Sequence, residues 1–348
     1  MDRGRSPARR QPRRRRCALH DVTDGVSVGA GRFAPTPTGR LHLGNARTAL
    51  LAWLWARRHG LRTVLRMEDL DPLAVPPGCV ARIYADLDWL GLTYDEEPRW
   101  GGPLGPYQQS ERAALYDGAL ESLNAMGLLY ACACSRKEVL QSTQAPHAHD
   151  EGPIYPGTCR PVSGPRSRLE LLDLPRIGGR RPALRIDVAR ALERLGIQTV
   201  RFEDQVRGSV ELDVSKDLGD FVVRRADGLA AYQVACAFDD DAMSCTQVLR
   251  GSDLVLSAVR QVLLLSLWGR PLPSYAHVGL VLGRDGERLS KRDDALALET
   301  LRTSGLAATD VRRRLTGGLG LPDTGDLAAL VAGFEVGPNL APDVRLEG

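Results

Sequence analysis

The chain reads as an α/β protein built on a parallel sheet, with an inserted module of short pieces and a short helical piece near its C-terminal end. Three observations predict this. A strand-like segment at 26–33 passes through a Pro/Gly loop into a helix with apolar spacing at Ala46, Leu50, Trp53 and Leu54, and a second strand-like segment follows at 62–68. Such a β-α-β start requires parallel pairing. A second strand-to-helix passage, 246–249 and then 253–267, comes much later. Between the two, from about 129 to 207, the pattern breaks into short pieces, Gly/Pro loops and a cysteine cluster, as an insertion would.

In chain order, residues 1–24 form an Arg-rich extension that is expected to be disordered. Residues 1–16 hold eight arginines and one aspartate, a local +7 that leaves the remainder at −4 within the overall +3. The body is therefore mildly acidic, and a nucleic-acid surface on it has to be a local patch. The extension lacks the apolar stretch of a secretory signal; its composition suits an RNA-touching arm or a dispensable extension. The first half of the sheet domain is expected over 25–110, with Gly60 ending the first helix and another helix at 80–90. The inserted module is expected over 111–207, opening with a helix at 111–126 and containing a polar, His-bearing loop at 143–152. The second half of the sheet domain is expected over 208–280, with strand-like segments at 221–224 and 230–237. Within 281–348, the 57 residues beyond Lys291 leave room for a small helical piece. No apolar run approaches the ~20 residues of a membrane span. Seven cysteines do not make a disulfide framework. Cys17, Cys79, Cys236 and Cys245 read as isolated thiols of a reducing cytoplasm.

Three short runs carry the chemistry. In 31–45, His42, Gly44 and Asn45 stand where a strand runs into a helix start, and backbone N–H groups and the helix dipole there favour phosphate. Taken singly, a loop histidine with a capping Asn is the commoner meaning. In Arg66-Met67-Glu68-Asp69-Leu70-Asp71-Pro72, Glu68 follows the second strand, at the end where open parallel sheets bind ligands. It can hold an ammonium group, although an acidic turn before Pro72 would look the same. In 286–292, Lys291 lies on a Gly/Arg/Ser/Lys loop able to fold over a nucleotide and offset charge on phosphate. A solvated Lys-Arg turn is the plainer alternative. Cys132, Cys134 and, 25 positions on, Cys159 supply three thiolates. A closed tetrahedral zinc site needs a fourth ligand, and by ligand chemistry His147 or His149 qualifies.

Together these runs resemble the class I aminoacyl-tRNA synthetases: His42-Leu43-Gly44-Asn45 matches the HIGH signature and Arg288-Leu289-Ser290-Lys291-Arg292 the KMSKS signature. The wording of 32–39 and 66–72 is similar to the glutamyl branch, and the resemblance runs from about Gly29 to at least Lys291. It implies a Rossmann-like catalytic domain that activates L-glutamate with ATP and Mg2+ to glutamyl-adenylate. It implies a glutamate pocket of Arg32, Phe33, Ala34, Pro35, Thr36, Glu68, Tyr232 and Arg250, with Glu68 taking the α-amino group and the two arginines facing two carboxylates. ATP would be met by His42, Gly44, Asn45 and Lys291, with His42, Asn45 and Lys291 as the catalytic groups. Cys236 stands where longer members tend to carry an amide.

For the insertion, the resemblance implies one structural Zn2+ per chain, with Tyr155 beside Cys132, Cys134 and Cys159 in place of a histidine. Because 57 residues do not supply a large helical anticodon-binding region, the chain is most similar to short members of the branch. Those transfer glutamate to queuosine in the anticodon of tRNA(Asp). The alternatives are a minimal enzyme charging tRNA(Glu), a non-catalytic RNA-binding paralogue, and a small-molecule adenylyl-transferring ligase. A cytoplasmic monomer without membrane attachment is expected.

Overall fold

The computed structural model describes residues 29–135, 137–139, 154–162, 168–171, 173–283, 286 and 297–345. Strand β1 (Ala30–Phe33) is buried along its whole length and runs into helix α1 (Leu43–Arg58). Eleven of the sixteen α1 residues are buried, because the helix lies between the sheet and a second layer of helices. It packs so closely on β1 that a Cβ at Gly31 would stand 2.6 Å from the Ala56 methyl carbon. Gly60, at φ 64°, turns the chain into β2 (Arg62–Leu65), which pairs parallel to β1. Helices α2 (Cys79–Trp89) and α3 (Ala113–Ala125) follow.

The short pieces after α3 are shared between two sheets. Strands β3 (Leu129–Cys132), β4 (Ala183–Ile186) and β7 (Val222–Arg224) form a small antiparallel sheet. Helix α4 (Val188–Leu195) leads instead to β5 (Val200–Asp204) and β6 (Gly208–Leu212), an antiparallel pair at the edge of the large sheet. Short α5 (Val214–Asp217) then returns the chain to β7. Sheet membership thus does not follow the boundaries drawn from sequence: β5 falls in the stretch expected as insertion, and β7 in the stretch expected as the second half of the large sheet's domain.

The segment at 230–237, expected as a strand, is the start of helix α6 (Tyr232–Ala242). A short apolar run carries no period of its own, and here Val234, Ala235, Cys236 and Ala237 are buried on a helix that packs against α7 (Val255–Trp268). Strand β8 (Cys245–Gly251) precedes α7, and β9 (Ser274–Val278) follows it. The large sheet has the order β2-β1-β8-β9-β5-β6, parallel except for the last pair. Its strand order reverses beside β1, which places a crevice outside the carboxyl ends of β1 and β8.

After β10 (Val281–Leu282), helices α8 (Leu298–Thr303), α9 (Ala308–Thr316) and α10 (Leu327–Gly333) cover α1 and α2. Strand β11 (Val344–Arg345) pairs parallel to β10. One apolar cluster joins Leu50 and Leu54 to Ile83, Leu87, Val311, Leu330 and Phe334. A second joins Leu184 and Ile186 of β4 and Val223 of β7 to Val200, Phe202, Val248 and Tyr275 of the large sheet. Among the described residues no helix is long and apolar enough to cross a membrane.

Candidate active site

The carboxyl ends of β1, β8 and β9, with the start of α1, enclose a cleft of about 730 Å³. Residues 32–36 line it where β1 ends, and His42, Gly44 and Asn45 where α1 begins; Glu68, Tyr232 and Arg250 complete its other end. His42 is the N-cap of α1: its Nδ1 accepts from the backbone N–H of Gly44 (3.1 Å) and Asn45 (3.4 Å). Asn45 answers by accepting the His42 N–H on Oδ1 at 3.3 Å, a reciprocal cap. An imidazole that accepts at Nδ1 carries its proton on Nε2, so the cap sets the tautomer and makes Nε2 a donor. A Cβ at Gly44 would lie 3.0 Å from two atoms of this ring, so glycine lets the ring lie over the helix start.

At the other end, buried charges are tied together from distant parts of the chain. Arg32 grips Asp240 of α6 with two N–H groups, Nε to Oδ1 at 3.1 Å and Nη2 to Oδ2 at 3.3 Å. Arg66, fully buried, reaches the same Oδ1 at 2.8 Å and donates to Glu68 Oε1 at 3.1 Å. Burial alone would raise the Asp240 carboxyl, but the Arg32 and Arg66 guanidiniums outweigh it and hold it down at about 2. Glu68 ends on the other side: burial raises it more than Arg66 and Arg32 lower it. A substrate ammonium beside Glu68 would replace the lost water and favour its anion. Cys236, within 3.6 Å of Arg66, is pushed up to about 12 by burial with Asp240 and Glu68 nearby, so it stays a thiol.

Arg250, at the end of β8, is held differently. Its Nε donates to His277 Nε2 at 3.1 Å and its Nη2 to Gln261 Oε1 at 2.8 Å. His277 Nδ1 lies 2.6 Å from Asp204 Oδ2, and burial pushes this histidine down to about 4.

The three cysteine sulfurs also converge, all within 4.8 Å of one another. Cys134 and Cys159 Sγ are 3.5 Å apart, and Tyr155 Oη lies 3.4 Å from Cys132 Sγ and 3.6 Å from Cys134 Sγ. A Zn–S bond of about 2.3 Å gives a tetrahedral edge of about 3.8 Å, so this donor set fits a zinc ion with modest adjustment. The Arg185 guanidinium stacks 3.8 Å from the Tyr155 ring centre and donates to Cys132 Sγ at 3.4 Å, a cation where anionic ligands would gather. His147 and His149 lie outside the described residues, as do Lys291 and the Arg-rich extension at 1–24. The flanks of the Lys291 segment are described: Val281 lines the cleft, and Ala297 bridges to His42.

Sequence reasoning quoted Arg66 without assigning it and missed Asp204, Asp240, Gln261 and His277. The run Asp239-Asp240-Asp241 inside an apolar stretch was a usable signal for buried pairing. The others carried none, since their partners arrive from distant segments.

Comparison with known proteins follows the same lines. The family model described as tRNA synthetases class I (E and Q), catalytic domain, matches residues 30–316. A glutamyl-Q tRNA(Asp) synthetase of Symbiobacterium thermophilum is 47% identical over 294 residues, 84% of this chain and 87% of that protein. Glutamate–tRNA ligase 1 of Halorhodospira halophila is 43% identical over 274 residues, 79% of this chain but 55% of that one. Among solved structures, a glutamate tRNA ligase from Elizabethkingia meningosepticum, in complex with its amino acid, superposes with a TM-score of 0.72 at 26% identity, covering 92% of this chain and 67% of that one.

Proposed function

We propose, on the premise that this chain belongs to the class I tRNA synthetases of the E and Q type, that it activates L-glutamate with ATP and transfers the glutamyl group to queuosine in the anticodon of tRNA(Asp). The observation that carries the reading is one cleft with a capped helix start at one end and the Arg32, Glu68, Tyr232 and Arg250 group at the other. The match to the Symbiobacterium relative, more identical and longer in coverage of that protein than the match to the Halorhodospira ligase, favours tRNA(Asp) over tRNA(Glu) as acceptor.

Glutamate sits with its ammonium group on Glu68 and its carboxylates toward Arg32 and Arg250. ATP enters as its magnesium complex. The α-carboxylate attacks the α-phosphate, the bond to the β-phosphate oxygen breaks, and pyrophosphate leaves. His42 Nε2–H, the Asn45 amide, the N–H groups at the start of α1 and Lys291 meet the charge that builds on phosphate. A queuosine hydroxyl then attacks the activated carbonyl, forming the ester and releasing AMP. Cys132, Cys134, Tyr155 and Cys159 would hold Zn2+, which would brace the small sheet and act on no bond of glutamate, and a cytoplasmic setting would keep these thiols reduced.

The test is ATP-dependent attachment of labelled glutamate to queuosine-modified tRNA(Asp), unmodified tRNA(Asp) and tRNA(Glu). Label on the modified tRNA(Asp) alone is expected. Label on tRNA(Glu) would make this a charging enzyme, and label on none would remove the transfer reading.

A further inference from the structure

We propose that Gln261 and His277 are positioning residues that select a carboxylate substrate by aiming the Arg250 guanidinium without neutralising it. The inference rests on the reading of the cleft as a glutamate site.

Arg250 is 3% exposed, and its contacts are unlike those of the other two arginines at this end of the cleft. Arg32 and Arg66 each touch carboxylates, Asp240 for both and Glu68 for Arg66 as well. Among the described residues Arg250 touches only neutral groups: the His277 ring at Nε, the Gln261 amide oxygen at Nη2, and the Tyr275 ring, 5.6 Å from Cζ to the ring centre. Its Nη1 is buried and has no hydrogen-bond partner among the described residues. A buried cationic donor without a partner is costly unless a ligand answers it.

The neutrality is built in. An arginine only donates, so the atoms facing it must be His277 Nε2 as acceptor and the Gln261 oxygen. The histidine proton then sits on Nδ1, against Asp204 Oδ2 at 2.6 Å. Asp204 is itself held by the backbone N–H groups of Val206 and Arg207, at 3.0 and 2.9 Å, and by that of His277. The carboxylate that anchors the chain is thereby kept one imidazole away from the guanidinium. Gln261 is fixed in the same sense: with its oxygen on Arg250, its Nε2 donates to Gln233 Oε1 at 3.2 Å, and Gln233 Nε2 donates to Ser257 Oγ at 3.0 Å. Gln233 adjoins Tyr232, so the chain of amides ends beside the pocket wall. Two neutral acceptors hold two edges of the guanidinium and leave its charge unanswered, and Arg250 lines the cleft in which a substrate carboxylate would meet it. Glutamine, whose side chain ends in a neutral amide, leaves that charge buried and uncompensated.

The decisive variant is Gln261→Glu, which keeps the shape and the hydrogen bond to Arg250 but supplies a charge that cancels it. Glutamate-dependent ATP–pyrophosphate exchange should show a glutamate KM raised about ten- to hundredfold, an unchanged ATP KM, and a weaker preference for glutamate over glutamine. His277→Gln, which retains an amide acceptor for Arg250 and a donor for Asp204, should restore most of the affinity that His277→Leu loses. If Gln261→Glu binds glutamate as the wild type does, the proposal is wrong; this arm decides even where His277→Leu fails to fold. A wild-type protein with no glutamate-dependent exchange would overturn the glutamate reading itself, and the proposal with it.

Discussion

His42 caps α1 through Nδ1 and, on the proposed reading, offers Nε2–H to phosphate in the cleft it lines, and substitution can separate the two roles. The cap consists of two accepted backbone bonds, from Gly44 and Asn45, and the reciprocal bond to Asn45 Oδ1. Replacing a capping side chain by Ala costs about 1 kcal/mol, and in a chain of this size that lowers Tm by about 2 °C. His42→Ala should therefore lose about that much stability. His42→Asn should lose little, since Asn is itself a favoured N-cap residue whose short side-chain oxygen reaches the same N–H groups. Both variants remove the Nε2 donor. Loss of one donor aimed at developing charge costs about 10²–10³ in rate, so both should slow glutamate-dependent ATP–pyrophosphate exchange by about that factor. The assay pairs exchange kinetics with thermal melts on the same preparations. Wild-type exchange by His42→Asn would refute the donor role, and an unshifted Tm in His42→Ala would refute the cap.

Other outcomes follow from the buried charges and the cysteine cluster. Asp240→Ala strands Arg32 and Arg66 without their shared carboxylate and should cost about 3–5 kcal/mol in denaturant unfolding; a loss below about 1 kcal/mol would contradict the pairing. Asp86, buried on α2, is raised to about 6 chiefly by burial, with Arg302 opposing. The native state therefore holds a proton that the unfolded chain has released, and stability from this group falls as pH rises from about 4 to 6. Asp86→Asn removes that dependence and should gain on the wild type between pH 5 and pH 7 in parallel melts; identical pH slopes would exclude it. Purified protein should hold one zinc per chain by elemental analysis, and Cys134→Ser should lose the metal and melt lower while keeping its ATP KM; full zinc retention by this variant would remove Cys134 from the ligand set.

Local pattern made part of this molecule readable. The β1-α1-β2 start follows from the spacing of apolar residues, and His42, Gly44, Asn45 and Glu68 were visible because a strand end or helix start lies within a few positions of each. What pattern did not carry is whatever the fold assembles from afar. Asp240 meets Arg32 across 208 positions, and His277 meets Asp204 across 73. No window of sequence holds both members of either pair, so these buried partners stayed hidden. Helix α6 was misread for a related reason: its apolar start has no decisive period, and tertiary contact with α7 settles it. The cysteine cluster lies between these cases, its cysteines evident and its tyrosine suggested only by resemblance.

The apolar cluster shared by the two sheets bears on how this protein can be taken apart. Leu184, Ile186 and Val223 sit with Val200, Phe202 and Val248 in one interior, although the first group belongs to the small sheet beside the cysteine cluster and the second to the cleft-bearing one. A gene fragment cut at the borders of the small sheet would carry off part of that interior and leave the rest facing water. Swapping the segment between relatives would accordingly require matched changes at positions on both sides. Insertion describes the order in which this chain is written; the interior it folds around has no corresponding seam.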